Sequence, residues 1–599
     1  MTVLVVSAST SRVEASPRFP MGVAARMIMV PVSHHRSSTA AHYDGQVLLT
    51  RRATQRWPAL LTNRWLRLIG PALVVLLAAV LRLWNLGHPG TLVFDETFYV
   101  KDAWSLYNNG YESTWPEGAD ALFAAGQSNI FGTGASFVVH PPLGKWLIAL
   151  GMAVFGADNP FAWRVVTALI GVVAVVLLML IIRKLFGSLL LASIGGFLFA
   201  IDGNAIVMSR VALLDNYVMF FALLGFGAVL MDRDHHRVRL AAWLNERRDN
   251  EVEPTWGPAL WWRPWVFAAG LAFGLACSVK WSGAYFLAAF GIYLVVVDAL
   301  ARRRAGLPFW ISGAILKQGP VTFLLMVPVA VLTFLLSWTG WFVTRGGYYR
   351  DYADQAGQAW TGAFAWVPHA VQSFWHYQTA AYSYHVGLVT PHPYQANPLT
   401  WLFMTRPTSM YYQGSELGQN GCGYGTCSEA ITGIANPLIW WAGSAAILYL
   451  VYRLARYREW RVGLILMGMV AGYLPWLMYL NRTVFQFYTI AFEPYLLLGL
   501  TLAIGLLLGV GTVGARPVVR TPPVLPYGPD ADAATAGTVP AGTVTAGTVT
   551  DRDTTVGSVI VLVFLVLATV VSAFFYPLWT GSQVPFAFWQ LHIWLPSWR

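Results

Sequence analysis

Two adjacent carboxylates, Asp95 and Glu96, stand in the stretch FDETFYVKDAWSL, just beyond an apolar run. A carboxylate is suited to take the proton from a poor nucleophile such as a hydroxyl. Adjacent residues on a helix point about 100° apart. The two acids are therefore expected to do different jobs, one taking a proton and the other orienting acceptor or partner groups. Asp102 shares a helical face with Asp95 and ranks below it as a base. Cations and further polar residues recur at comparable positions. His140 and Lys145 lie in FVVHPPLGKW and Arg164 in FAWR. Asp202, Arg210 and Asp215 lie in DGNAIVMSRVALLDNY, Lys280 in SVKWSG, and Asn481, Arg482, Gln486 and Tyr488 in NRTVFQFY. Arg and Lys would hold a phosphate and offset charge on it as it departs. Each residue also has an ordinary reading. Asp-Glu is a solvated loop pair, His140 before Pro-Pro is a turn or cap residue, and Arg164 or Lys280 is a snorkelling anchor. What favours chemistry is that all of them fall on one membrane face.

That face follows from the elements. The chain has 599 residues, of which 56% are hydrophobic and only 11% charged, with a mean hydropathy of +0.53. Soluble domains carry about 25% charged residues, so the composition indicates a polytopic membrane protein. The 28 Trp suit interfacial belts. The net charge of +11 is read as Lys and Arg gathered in cytoplasmic loops, not as a nucleic-acid footprint.

Apolar runs predict eleven spans, near 69–84, 163–182, 189–201, 217–231, 265–279, 284–297, 321–338, 437–452, 462–480, 489–510 and 556–575. With the N-terminus in the cytoplasm, the Arg-rich loops fall inside and two long loops poor in Lys and Arg fall outside. Residues 1–68 read as a basic, disordered cytoplasmic arm without the layout of a signal peptide. A catalytic transmembrane module spans 69–340, with its first outer loop at 85–162. A large outer loop covers 341–436 and further transmembrane helices 437–511. A low-complexity cytoplasmic linker (512–555) carries AGTVPAGTVTAGTVT, Ala536 to Thr550. The last span and a short outer tail occupy 556–599. Cys422 and Cys427, in NGCGYGTCSE, are either a disulfide in an oxidising compartment or half a metal site. No second Cys or Cys/His pair lies nearby, which argues against zinc.

A site at the bilayer–water boundary suits a sugar carried on a polyprenyl phosphate: tail in lipid, phosphate at the interface, acceptor hydroxyl from water. FDETFYVKDAWSL, HPPLGKW, FAWR, SRVALLDNYVMFF and SVKWSGAYF, in this order, resemble the protein O-mannosyltransferases in their actinobacterial form. The resemblance runs from about residue 69 to 285 and continues less sharply beyond. It implies an all-α polytopic GT-C glycosyltransferase fold of about eleven transmembrane helices with a long first extracytoplasmic loop. It implies polyprenyl-phosphate mannose as donor, Ser and Thr hydroxyls of exported proteins as acceptors, and inversion at the sugar carbon.

Carried over, Asp95 is the base with Glu96 beside it, and Arg164 and Lys280 contact the donor. Arg482 and Gln486 are looser donor contacts. The large loop is too short for the β-trefoil domain of eukaryotic members. Its stretch WVPHAVQSFWHYQTAAYSYHVGL is expected to form an amphipathic helix on the outer membrane face, helping to bind substrate or merely packing at the interface. No metal or cofactor is expected. Expected partners are membrane lipids, the exported acceptors and the protein-export machinery. The nearest alternative is a GT-C transferase with a glycan or lipid acceptor. A transporter would show internal repeats and charges at mid-membrane, and the sequence has neither.

Overall fold

The computed structural model describes residues 66–510 and 551–599. Most of the expected N-terminal arm and of the 512–555 linker lies outside these residues. Each of the eleven apolar runs is helical. Among the described residues, seven helices are long and apolar enough to cross a membrane: Pro160–Phe186, Asp215–Asp249, Gly283–Arg304, Trp310–Ser337, Pro437–Tyr457, Trp460–Met478 and Thr555–Thr580. The pair Leu189–Ile201 and Gly203–Arg210 reaches that length only together and is bent by 61° at the break between its helices. The remaining three, Leu68–Leu83, Pro264–Val279 and Glu493–Leu507, are shorter apolar helices. The protein is a multi-pass membrane protein.

In chain order, α1 (Leu66–Leu83) leads into the first long loop, which carries α2 (Glu96–Asn109), α3 (Ala119–Ala124) and α4 (Leu143–Phe155). Then follow α5 (Pro160–Phe186), α6 (Leu189–Ile201), α7 (Gly203–Arg210), α8 (Asp215–Asp249), α9 (Pro264–Val279) and α10 (Gly283–Arg304). Local signals set the boundaries. The Asn159 side chain accepts from the Phe161 amide with Pro160 in the first turn, and Gly187 closes α5 in the left-handed conformation. The bend between α6 and α7 has a similar cause: Asp202 ends one helix and caps the next, accepting from Asn204 and Ala205 amides. α8 runs for 35 residues, well past its apolar part. The charged stretch after Met231 is rich in Arg and carries Leu and Ala, all good helix formers, so charge does not end the helix.

Two arginines lock the bundle where the site lies. Arg210, at the end of α7, donates from Nη1 to the carbonyls of Leu81 (3.3 Å), Arg82 (3.1 Å) and Trp84 (2.8 Å), and from Nη2 to Asn85 (3.1 Å). These are carbonyls of the last turn of α1 and the two residues after it; Leu81 also accepts from the Tyr576 hydroxyl and Asn85 from the His88 amide. Arg82 does the same for α6, donating to Ala200 (2.9 Å) and Phe199 (3.1 Å), and to the Ser209 hydroxyl (3.2 Å). Arg210 was a candidate for substrate contact on its position in the sequence. The structure gives it a helix-capping role.

The second long loop departs from an all-α reading. It holds the expected helix, His369–Gly387, and also an antiparallel hairpin, β1 (Thr408–Glu416) and β2 (Thr426–Gly433). A third strand, β3 (Val584–Pro585), pairs with β2 from the C-terminal tail. The hairpin turn is closed by a disulfide between Cys422 and Cys427.

The capping geometry gives an expected outcome. Arg210→Ala strands buried carbonyls at the end of α1 and should destabilise the purified protein by roughly 3 kcal/mol. Arg210→Lys, with one point of donation and no fork, should recover only part of that. Thermal unfolding in detergent, followed by intrinsic Trp fluorescence, reads both.

Candidate active site

The site is built around a buried ion pair between α2 and α5. Glu96 and Arg164 are both essentially inaccessible, at 0% and 1% exposure. Arg164 Nε donates to Glu96 Oε1 at 2.8 Å and Nη2 to Oε2 at 2.7 Å. The other guanidinium hydrogens go to carbonyls of the segment after α1: Leu86 (3.3 Å), Pro89 (2.9 Å) and Thr91 (2.9 Å). All five N–H groups of the guanidinium are thereby engaged. Glu96 also accepts from the Val93 amide at 3.0 Å and the Ala212 amide at 2.8 Å. One ion pair thus ties together the loop after α1, the start of α2, the start of α5 and the α7–α8 connection. The sequence reading had Arg164 on the donor phosphate and Glu96 in the chemistry. In the structure they are spent on each other, and their geometry is that of a scaffold.

Asp95 precedes α2 and is half-buried. Its carboxyl lies near the Tyr99 hydroxyl and within the field of Lys280 and Asp215. Burial pushes it up to about 6, outweighing the opposing pull of Lys280. Its neighbour Phe94 has φ 48°, in the left-handed region that a non-glycine residue seldom adopts. Phe94 is held there edge-on against three rings, His392, Phe485 and Phe487, with centroids 5.7–6.1 Å away. This strain sets the direction in which Asp95 leaves the chain.

Two cations belong to this region: Lys280, whose field reaches Asp95, and Arg482, whose field reaches His140 and Tyr488. Lys280, just past α9, pairs with Asp215 at the start of α8 (2.7 Å) and lies 5.0 Å over the Tyr488 ring. Gly144 on α4 lets these segments meet. A Cβ there would lie 2.6 Å from Leu214 and 3.2 Å from Val279, the residues preceding Asp215 and Lys280. Arg482 donates from Nη2 to His385 Nδ1 at 3.2 Å and lies 5.8 Å over the Trp476 ring. Its buried Nε has no partner. His140 stacks on His385 with centroids 5.0 Å apart and lies 6.0 Å from Tyr99. Burial, with Lys280 nearby, keeps His140 well below the usual histidine range, in the neutral form.

Of the remaining sequence candidates, Lys145 and Gln486 are buried and Asp102 is half-buried. Lys145 is 1% exposed, ion-paired with Glu112, and donates to the His140 carbonyl at 3.1 Å. Asp102 is pushed up to about 7 by burial, against the pull of Lys145. These three form a polar layer under His140, away from any direct contact seen with Asp95. Gln486 is buried; its amide donates to the Trp401 carbonyl at 3.0 Å and its Oε1 is unpartnered. Sequence reasoning missed Tyr99 and His385. Tyr99 was findable as the residue one helical turn after Asp95. His385 was visible only as one member of an aromatic- and His-rich stretch.

The chain matches two family profiles. One, described as dolichyl-phosphate-mannose-protein mannosyltransferase, covers residues 72–335. The other, the C-terminal four-transmembrane region of protein-O-mannosyltransferase, covers 370–505. The chain is 34% identical over 537 residues to the polyprenol-phosphate-mannose–protein mannosyltransferase of Mycobacterium tuberculosis, covering 88% of this chain and 91% of that one. It is 29% identical to the enzyme of the same name from Corynebacterium glutamicum, covering 91% and 95%. The fold is similar to that of the Saccharomyces cerevisiae protein O-mannosyltransferase complex bound to its sugar donor, with a TM-score of 0.59 at 14% identity and coverage of 89% and 92%.

The scaffold geometry separates Glu96 from Asp95 experimentally. Glu96→Ala leaves the Arg164 charge buried and unpaired and is expected to cost roughly 3–5 kcal/mol of stability. Asp95→Asn removes a carboxyl whose charge the fold disfavours. A carboxyl raised to about 6 contributes stability at low pH that is lost as pH rises through that value. Asp95→Asn should therefore raise the melting temperature at pH 8, keep about half of that advantage at pH 5, and lose it only as the pH falls below the ordinary carboxylate value of 3.8. Melting curves of the three proteins over this pH range test both expectations.

Proposed function

Because the chain belongs to the polyprenol-phosphate-mannose–protein mannosyltransferase family, we propose that Asp95 is the general base of an inverting transfer of mannose to Ser and Thr hydroxyls of exported proteins. The enzyme is a membrane glycosyltransferase. In this reading the donor is polyprenyl-phosphate mannose, its tail in the bilayer and its phosphate facing Arg482 and Lys280. Asp95 takes the proton from the acceptor hydroxyl. The hydroxyl oxygen attacks the anomeric carbon from the face opposite the phosphate, the carbon–oxygen bond to phosphate breaks, and the polyprenyl phosphate departs with the bonding pair. A phosphate leaves readily, so no strong general acid takes part, and the reading contains no resident metal or cofactor.

The observation that carries this reading is the division between neighbours. Glu96 is sealed in an ion pair, while Asp95 is half-buried, within the field of Lys280 and near the Tyr99 hydroxyl. A carboxyl at about 6 is ionised at neutral pH yet basic enough to take a proton from a hydroxyl as it attacks. The unpartnered Arg482 Nε is a donor in search of an acceptor, and a phosphate oxygen fits it. The cytoplasmic N-terminus and extracytoplasmic site rest on the distribution of Lys and Arg among the loops.

The test is sugar transfer in membranes carrying the protein, with labelled polyprenyl-phosphate mannose and a Thr/Pro/Ala-rich peptide. The expected result is labelled peptide, lost by at least about a hundredfold in Asp95→Asn at normal protein levels. Label on a glycan or lipid with a bare peptide would replace the acceptor class and leave the family intact. Full activity in Asp95→Asn would remove the proposed base.

A further inference from the structure

The helix His369–Gly387 is held against the first long loop by two side chains. The Tyr377 hydroxyl donates to the Val138 carbonyl (2.5 Å), and His385 Nε2 meets the Val139 carbonyl at 2.9 Å. A carbonyl only accepts, so Nε2 carries the proton. On the other side of the same ring, Arg482 donates into Nδ1 at 3.2 Å. An arginine only donates, so Nδ1 must be bare. The two contacts fix one neutral tautomer of His385, with both ring nitrogens used. Its other charged or titratable neighbours do not compete for either nitrogen: His140 stacks face on, and Tyr384 approaches edge on. Burial, with Arg482 and Lys280 near, lowers His385 to about 4, consistent with a ring neutral at working pH.

The ring is the one described side chain that joins the first long loop, the second long loop and the last turn of the site through polar contacts at Val139, His385 and Arg482. We propose that His385 is a positioning residue for the transfer: it holds the Arg482 guanidinium so that its unpartnered Nε faces the donor phosphate. The proposal rests on the reading of Arg482 as a phosphate contact. His385 itself touches no reacting atom. It selects among the rotamers of a long side chain and so lowers the ordering needed when the donor binds.

The experiment uses the full chain in detergent with polyprenyl-phosphate mannose and peptide acceptor, reading donor KM, peptide KM and kcat. His385→Ala should raise donor KM roughly tenfold and leave peptide KM unchanged. His385→Asn should restore most of the loss, because its Oδ1 lies where Nδ1 accepts from Arg482. His385→Gln, which reaches toward the Nε2 position and Val139, should not. In a cycle, His385→Ala/Arg482→Ala should be no worse than Arg482→Ala alone. Equal activity of the Asn and Gln variants, or losses that multiply in the double variant, would overturn the proposal. The two readings fail differently. An Arg482→Ala variant with unchanged donor KM removes the phosphate contact itself, and this proposal with it. An Arg482→Ala defect without a His385→Ala defect removes only the positioning role. If His385→Ala does not accumulate, the Asn-against-Gln comparison decides alone.

Discussion

The arrangement depends on the Glu96–Arg164 pair. A buried charge is tolerated only when its partner and its hydrogen bonds are all present. Here the requirement runs both ways. The guanidinium needs Glu96 and the carbonyls of Leu86, Pro89 and Thr91. Glu96 needs Arg164 and the amides of Val93 and Ala212. Satisfying one pair therefore fixes the path of the chain on both sides of Asp95. The acid next in sequence is held by its neighbours while its own carboxyl stays free of a direct cation contact.

That division explains how two adjacent carboxylates serve one site. The sealed one has its charge cancelled where it stands. The open one feels burial first and Lys280 second, and the balance leaves it near 6. Lys280 is itself shared with Asp215, which tempers its pull on Asp95. Arg482 enters from a different segment and is steadied by His385 and the face of Trp476. Base and cations thus come from separate elements, each anchored by contacts outside the reacting centre. This is how a rigid geometry is obtained at a bundle end made largely of loops.

Much of this was legible in the sequence because it is local. Apolar runs of span length, Arg-rich loops and an acid pair at the end of a run each reflect a short-range constraint, and all eleven runs are helices. The partner of each charge was not legible. FAWR places Arg164 at a helix start, where a snorkelling anchor, a ligand contact and an ion pair look alike; only the fold shows Glu96 against it. Arg210 was ambiguous for the same reason, since the carbonyls it caps lie more than a hundred residues earlier. The hairpin was missed although β1 and β2 flank a Gly-rich turn closed by Cys422 and Cys427. Its strand segments TSMYYQGSE and TCSEAITG lack a clean apolar alternation, and β3 comes from the distant tail.

The pH dependence of kcat/KM for the donor, measured in the native chain and in Asp95→Asn, bears most directly on the claim that Asp95 acts and Glu96 holds. This ratio follows ionisations of the free enzyme. A base at about 6 must be ionised to work, so the native ratio should fall tenfold per pH unit below that value and level off above it. The residual rate of Asp95→Asn should show no such limb. An identical acidic limb in Asp95→Asn, or a native ratio that is flat down to where free carboxylates titrate, about pH 4, would contradict the account.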